Sequence, residues 1–546
     1  LPIFGIIVDG VDSHSLSFQQ IMGWIGIMVL IALAVYLLRY IWRLWLFGAS
    51  YQLAVKLRMQ IYRQLSLQSS AFYQRYRTGD LIARTTNDVD KVVFAAGEGV
   101  LTLVDSMVMG LAVLVMMSIQ LSWQLTLISL LPMPLMAILI KRYGDKLHHR
   151  FKSAQALFSS LNNQAQESLS SIRMIKSFGL EQQHASRFET VAKETGRQNM
   201  RVAKVDALFD PTIFMAIGFA NLLAVAGGSY FVLNGTMTLG ELTSFVMYLG
   251  QMIWPMLALA WMFNIVERGS AAYSRINALL NEQPAMVDGQ LSPMHQKGTL
   301  AVDIKAFHYP KQQVDVLKNI HFTLSPGEML GICGMTGAGK STLLALIQRL
   351  YDVSEGDIRF QSVPLYQLKL DEWRGRLAVV NQTPFLFSDT IAGNIALGRP
   401  NATKEEIEAV AKIANIHDDI LNLPEGYLTQ VGEKGVMLSG GQKQRISIAR
   451  ALLLDAEILL LDDALSAVDG QTEYQILQNL AQWRKEKTII ISAHRLSALV
   501  DATNILVLKQ GEIIEQGTHQ TLIAMPGWYQ DMYHYQQLEA ALDDDK

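Results

Sequence analysis

Gly334-Met335-Thr336-Gly337-Ala338-Gly339-Lys340-Ser341, entered from the apolar run Met329 to Cys333 and followed by Thr342, decides how this chain is read. Glycines at this spacing let consecutive backbone N–H groups converge on phosphate oxygens. Lys340 is placed to reach the β- and γ-phosphates and the Ser341 hydroxyl to ligate magnesium. Residues Thr342 to Leu350 are expected to continue as a helix whose partly positive N-terminus faces the same anion. This half of the chain is therefore expected to bind a nucleoside triphosphate.

The composition excludes an ordinary soluble protein. Of 546 residues, 50% are hydrophobic and only 17% charged, against about 25% charged in globular domains, and the mean hydropathy is +0.20. Part of the chain is expected to meet the lipid bilayer. A net charge of -3 leaves no basic excess for gripping nucleic acid, so the triphosphate reads as fuel, with no nucleic-acid partner expected. Cys333, the single cysteine, cannot form an internal disulfide and reads as a small buried hydrophobe before the loop.

Five apolar segments precede residue 300: Ile21 to Leu46, Leu101 to Ile119, Leu125 to Ile140, Ile213 to Leu233 and Leu242 to Phe263. A hydrocarbon core of about 30 Å needs about 20 helical residues, and most of these segments suffice; the third is short. The connections Gln120 to Gln124 and Asn234 to Glu241 are brief, whereas Phe47 to Val100 and Lys141 to Thr212 are long and basic. The positive-inside tendency places both long ones in the cytoplasm. The first lacks proline and predicts two helical arms turning at Gly79-Asp80, projecting roughly 40 Å at about 1.5 Å per residue. Counting crossings back from the nucleotide half puts Leu1 outside, and Pro2 to Val8 resembles the outer end of a crossing that begins earlier, so six spans are expected. Pro284, Gly289, Pro293 and Gly298 mark a linker. The expected division is a transmembrane region with helical stalks over 1–280, a linker over 281–299 and an α/β nucleotide domain with a mainly parallel core sheet over 300–540.

After the apolar strand Ile458 to Leu461, Asp462 is placed to hold magnesium, and Asp463 to polarise an attacking water. Around these residues the chain resembles the ATP-binding cassette transporters, specifically their exporter half-transporters, over essentially its whole length. Leu438-Ser439-Gly440-Gly441-Gln442 is similar to the family signature, Gln382 to its Q-loop glutamine, which also reaches magnesium, Ser466-Ala467-Val468-Asp469 to its D-loop and His494 to its switch histidine. Tyr309 falls where the family stacks an aromatic on adenine. Gly79, Asp80 and Arg84 resemble its first coupling segment, and Glu433 its X-loop. The resemblance implies ATP and Mg2+ as cofactors, and ATP hydrolysis coupled to transport at a bacterial inner membrane. Each ATP is then held between the phosphate loop of one subunit and the signature of another.

One departure matters. The family has glutamate where this chain has Asp463, and losing a methylene withdraws the carboxylate by about 1.5 Å. Misplacement of roughly 1 Å can cost on the order of a hundredfold in rate, so this chain's own site is expected to bind ATP and hydrolyse it slowly, unless backbone adjustment lets Asp463 act as a normal base. A second, different half-transporter carrying the glutamate is the expected partner. Multidrug-type efflux of small amphiphilic compounds is the expected function, with a lipid or peptide exporter, or an ATP-gated channel or sensor, as alternatives. Asp105, inside a span, either contacts a cationic substrate or hydrogen-bonds within the bundle.

Overall fold

A computed structural model of the chain describes residues 2–13, 16–294, 296–310, 312–432, 437–483 and 487–544. Two compact units emerge: residues 1–64 with 79–282, and residues 65–78 with 283–546.

The helices run α1 (Pro2–Asp12), α2 (Phe18–Ser66), α3 (Ser70–Arg75), the helical run α4 (Thr78–Ser129), α5 (Met133–Ser170), α6 (Glu181–Asp206), α7 (Phe209–Leu233), α8 (Leu239–Gln251) and α9 (Ile253–Leu280). Among the described residues three helices are long and apolar enough to cross a membrane: Phe18–Ser66, Thr78–Ser129 and Glu181–Leu233.

Two of the five expected spans are not continuous helices, and proline is the cause in both. The Leu125 to Ile140 segment breaks between Ser129 and Met133, where Pro132 and Pro134 have no amide hydrogen to donate. The Ser129 hydroxyl turns back onto the Leu125 carbonyl at 2.7 Å. The Leu242 to Phe263 segment breaks at Met252 between α8 and α9, because Pro255 cannot bond the Gln251 carbonyl four residues back.

The turn in the first long connection is also displaced. It lies around Leu67–Ser69, where Ser69 is extended (φ −78°, ψ 165°) ahead of α3. Gly79 and Asp80 instead open α4, with Asp80 in the first turn, where a carboxylate favours the helix dipole, paired to Arg84 at 2.8 Å. A side chain at Gly79 would meet nothing within 4 Å, so no turn requires glycine there. In the second long connection α6 packs along α5, and Gly179, at φ +64°, makes the left-handed turn before α6.

Helix α4 carries wider π-type turns at Arg84–Asp88, Ala95–Gly99 and Met116–Ser122. The last ends at an extended Ser122, whose hydroxyl accepts from the Leu125 amide. Below it, α4 lies against α9 closely enough that a Cβ on Gly269 would sit 2.4 Å from that of Ala95. Asp88 fixes this pairing: its carboxylate accepts from Arg275 Nε at 2.8 Å and Nη2 at 2.7 Å, and from Lys91 at 3.1 Å. Fully apolar layers close the upper part, with Met117, Leu125, Ala220, Phe245 and Leu249 forming one cluster.

The second unit holds two main sheets and a two-stranded pairing of Asp389–Thr390 with Gln430–Val431. Strands β1 (Leu300–Phe307), β2 (Leu317–Leu324) and β4 (Glu355–Phe360) are antiparallel in the order β2-β1-β4. Strands β3 (Met329–Gly334), β5 (Leu377–Val380), β6 (Ile458–Asp462), β7 (Thr488–Ser492), β8 (Asn504–Lys509) and β9 (Glu512–Gly517) form the second sheet, in the order β9-β8-β3-β7-β6-β5. All neighbours in it are parallel except β8 and β9. Strands β3 and β7 are buried along their whole length, as a sheet covered on both faces requires. The segment after α9 is docked on this unit: Arg349 donates to the Val287 carbonyl at 2.8 Å, and Gly289 lies so close to the Leu368 carbonyl that a Cβ would stand 2.2 Å from it.

Because the Asp88 carboxylate is bidentate to Arg275 and only 9% exposed, Asp88→Ala and Arg275→Ala are each expected to destabilise the solubilised protein by about 1–3 kcal/mol. Thermal unfolding by intrinsic fluorescence should show the double variant no less stable than Asp88→Ala; strict additivity would mean the pair is not coupled.

Candidate nucleotide site at the head of the parallel sheet

The candidate site forms where β3 and β6 end. Strand β3 runs straight into the glycine-rich loop, and α10 (Lys340–Ile347) leaves it. Gly334, Gly337 and Gly339 hold φ of +141°, +83° and +104°, conformations that a side chain disfavours. Gly334 is further constrained: a Cβ there would lie 2.1 Å from the Leu508 carbonyl of β8. Met335, Thr336 and Ala338 complete the curl, with the Ala338 amide donating to the Met335 carbonyl. Lys340 reaches back over the loop, its Nζ donating to the carbonyls of Gly334 at 2.8 Å and Met335 at 3.2 Å. Burial holds its ammonium below the ordinary lysine range, an effect that the nearby Asp463 and Asp462 carboxylates oppose.

Two oxygen donors suited to a hard cation meet at the base of the loop. Ser341 Oγ donates to Asp462 Oδ1 at 3.1 Å, and burial raises the Asp462 carboxyl above the usual carboxylate range while the Ser341 hydroxyl works against that shift. A hydroxyl beside a half-buried, partly desolvated carboxylate fits magnesium, which favours oxygen ligands and would relieve that desolvation. Gln382, beyond β5, donates through Nε2 to Asp463 Oδ2 at 3.3 Å, joining it to the same group. The Tyr309 hydroxyl lies 2.9 Å from Thr342 Oγ1 at the start of α10. Its ring meets Tyr351 edge-on, with centroids 5.1 Å apart.

Asp463 sits at a left-handed backbone position, φ +48°, and is 8% exposed. Its amide donates to the Ser492 carbonyl at 2.9 Å, and its own carbonyl accepts from Ser466 Oγ at 2.9 Å and Gln444 Nε2 at 3.5 Å. With Ser466, His494 and Arg495 it borders a cleft of about 160 Å³. The His494 side chain is exposed; its backbone carbonyl accepts from Gln536 Nε2 at 2.8 Å, and Gln536 Oε1 accepts from the Leu496 amide at 2.9 Å. Gln536 belongs to α13 (Trp528–Asp544), which follows α11 (Gly440–Leu453) and α12 (Gly470–Trp483) along the chain.

The signature residues form a separate group. Ser439 caps α11, accepting from the Gln442 amide at 3.2 Å, while Gln442 Oε1 accepts from the Ser439 amide at 3.0 Å, a reciprocal cap. Leu438 is buried below it. Gly441 packs on the D-loop: a Cβ there would lie 2.7 Å from the Ala467 carbonyl, whereas one on Gly440 would make only ordinary contact at 3.5 Å.

The structure thus brings together Tyr309, the loop Gly334 to Thr342, Gln382, Asp462 and Asp463, and sets the signature apart on α11. Glu433 lies outside the described residues. Gly79, Asp80 and Arg84 fall in the first unit, while the segment grouped with the nucleotide unit is Leu65–Thr78. There Ala71 packs against the cluster containing Tyr309 and Tyr351, and Phe72 is 3% exposed. The aromatic triplet Phe72, Tyr73 and Tyr76 was the sequence signal for this segment.

Three connecting residues escaped the motif reading. Gln444, one turn into α11, ties Ser466 and the Ala467 amide to the Asp463 carbonyl. Arg495 joins the Val468 carbonyl to Glu473 of α12, at 3.1 and 2.7 Å. Gln536 is the third. Each is legible only once distant segments are adjacent.

Comparison with known proteins agrees along the chain. The family described as "ABC transporter transmembrane region" matches residues 2–256, and that described as "ABC transporter" matches residues 317–466. The multidrug resistance-like ATP-binding protein MdlA of Escherichia coli strain K12 is 68% identical over 99% of this chain and 92% of its own length. The ATP-dependent lipid A-core flippase of Syntrophus aciditrophicus is 34% identical over 89% of this chain and 80% of its own. A solved structure of a bacterial Atm1-family ABC exporter with ATP bound superposes with a TM-score of 0.81 at 27% identity, covering 98% of this chain and 94% of that one.

Cys333 is fully buried on β3, and burial pushes its thiol up to about 12. At pH 8.5 only about one thiol in several thousand is then ionised. Iodoacetamide should leave the folded chain unlabelled at that pH and modify it after denaturation; rapid native labelling would contradict the burial.

Proposed function

This chain belongs to the ATP-binding cassette transporter family, carrying its transmembrane and ATP-binding regions in one polypeptide, and from that premise we propose that it exports hydrophobic or amphiphilic compounds by alternating access as one half of a heterodimer. Its relatives are multidrug-resistance-like exporters and lipid A-core flippases. The proposal places it in a bacterial inner membrane, with the nucleotide unit in the cytoplasm, and divides it into a transmembrane region over 1–280, a linker and an ATP-binding domain over 300–540. The names of the flippase relatives favour lipid export as the second reading.

In this reading the loop amides from Gly334 to Ser341 bind the β- and γ-phosphates, Lys340 neutralises them and Tyr309 stacks on adenine. Ser341, Asp462 and Gln382 would hold magnesium, which when bound spreads charge from the phosphate oxygens. Ser439 and the amides of Gly440 and Gly441 meet the ATP of the partner subunit, His494 stabilises the γ-phosphate, and Gly79, Asp80, Arg84 and Glu433 take part in coupling.

The observation that carries the heterodimer is the setting of Asp463. To recover the reach of glutamate its backbone must advance by about 1.5 Å. Three hydrogen bonds on both sides of its peptide, to Ser492, Ser466 and Gln444, oppose any such movement. Advancing would cost about 1 kcal/mol for each bond broken, so the carboxylate stays short and this half-site hydrolyses slowly. The intact signature then serves a partner whose own site carries the glutamate.

Asp463→Asn in the reconstituted pair is expected to change steady-state ATPase by less than about twofold, while neutralising the partner's carboxylate lowers it on the order of a hundredfold. Equal losses from the two substitutions would rule out the slow half-site.

A further inference from the structure

Within the first unit a cavity of about 470 Å³ opens between α2, α4 and the break separating α8 from α9. Arg39 and Arg43 of α2 line one side, Glu98 and Asp105 of α4 the other, and Gln251 and Trp254 flank the break. Its volume falls in the range of small-molecule sites.

The charges are organised by helix geometry. Arg39 and Arg43 are one turn apart and share a face of α2, toward the end that leads into the basic Phe47 to Val100 connection. Glu98 lies in the wider turn Ala95–Gly99 and Asp105 further up the same helix. No ion pair joins either arginine to either carboxylate among the described residues. Two positive and two negative groups therefore face one space without neutralising each other; Arg39, Arg43 and Asp105 fall within the apolar spans and Glu98 at the end of the cytoplasmic connection. Unmatched charges at such positions are costly and are retained where a ligand or a pathway uses them.

Of the two expectations for Asp105, a hydrogen bond within the bundle is not seen among the described residues, and contact with a purely cationic substrate is altered. A singly charged cation would satisfy the carboxylates and leave the guanidinium groups unmatched and repelled by it. A singly charged anion would do the reverse. Only a ligand bearing both charges answers both walls at once, its anion accepting from the arginines and its cation against the acids. Trp254 and Met109 add apolar surface beside these groups for an acyl or alkyl tail. Gln251, just before the break between α8 and α9, and Trp254, just after it, both line this space.

We propose that this cavity is the entry site for zwitterionic amphiphiles, with Arg39 and Arg43 receiving the anionic part of the head group and Glu98 and Asp105 the cationic part. The proposal rests on the export reading and specifies its substrate class.

Three single-chain probes with the same twelve-carbon tail separate the possibilities: dodecylphosphocholine, dodecyltrimethylammonium and dodecyl sulfate. Each is added below its micellar concentration to the full chain reconstituted in nanodiscs with the partner half-transporter that carries the glutamate, and half-maximal stimulation of ATPase is read. The zwitterion is expected to act at roughly tenfold lower concentration than either singly charged probe. Arg39→Gln with Arg43→Gln should move the preference to trimethylammonium, and Glu98→Gln with Asp105→Asn should move it to sulfate. The single variants Arg43→Gln and Asp105→Asn should shift it the same way by smaller factors, and thermal unfolding with a single size-exclusion peak reports that each variant is folded. An unchanged head-group order in folded variants overturns the cavity assignment while leaving export intact. Absence of stimulation by every probe, together with no ATP-dependent accumulation in inverted vesicles, overturns the export reading itself.

Discussion

Binding a triphosphate with backbone amides requires a chain that can curl tightly without side chains in the way, and the nucleotide unit is arranged around that requirement. Three glycines adopt φ values that other residues disfavour, and the loop they form is held at both ends. At one end Gly334 is wedged against the Leu508 carbonyl; at the other, α10 begins at Lys340, whose Nζ closes on the Gly334 and Met335 carbonyls. Those contacts need β8 and β3 side by side, and β3 is flanked by β7 on its other edge. The parallel order of the sheet is therefore what aligns the ends of β3, β6 and β7, and with them the loop, Asp462 and the segment before His494.

Much of this was legible in the sequence because the chemistry is local. A phosphate loop, a carboxylate pair after an apolar strand and a glycine-rich helix start are each a few consecutive residues, and Ser439 with Gln442 even announces its own cap. The parallel sheet followed from strands that are apolar throughout, such as Ile458 to Leu461. What escaped were features set by residues far apart. Gly79 looked like a turn because glycine often marks one, yet nothing crowds it and it simply begins a helix; the real bend at Leu67–Ser69 contains neither glycine nor proline. The two broken spans carried their signals in Pro132, Pro134 and Pro255, but an apolar run outweighed a single missing amide. The facing charges of α2 and α4 are separated by more than fifty positions and have no local signature.

The first unit uses two carboxylates of one helix in two different ways. Asp88 is matched on the spot by Arg275 and Lys91, so its charge serves to pin α4 to α9. Asp105, further along the same helix, has no such partner among the described residues and faces a cavity instead. Matched and unmatched carboxylates on one helix separate holding from receiving: the first makes a rigid pair, the second leaves interaction energy available to something that arrives.

Under the proposed heterodimer, a slow half-site need not be an idle one. Asp463 is joined through its carbonyl to Gln444, which stands one turn into the helix that begins with the signature and also grips Ser466 and the Ala467 amide. Gly441 presses against the Ala467 carbonyl from that same helix. The end of β6, where Asp462 and Asp463 sit, is therefore tied to the start of α11 through the hydrogen bonds of Gln444. On the far side, Arg495 binds the Val468 carbonyl and Glu473, so the segment carrying His494 moves with the same D-loop. If the signature meets the ATP of a partner, occupancy of this chain's own site is transmitted to that second nucleotide by way of α11. On the proposed heterodimer reading, a site that keeps its ATP while lacking the reach of one methylene would hold the pair together while the other hydrolyses, since the connecting bonds depend on the backbone of Asp463 and not on the length of its side chain.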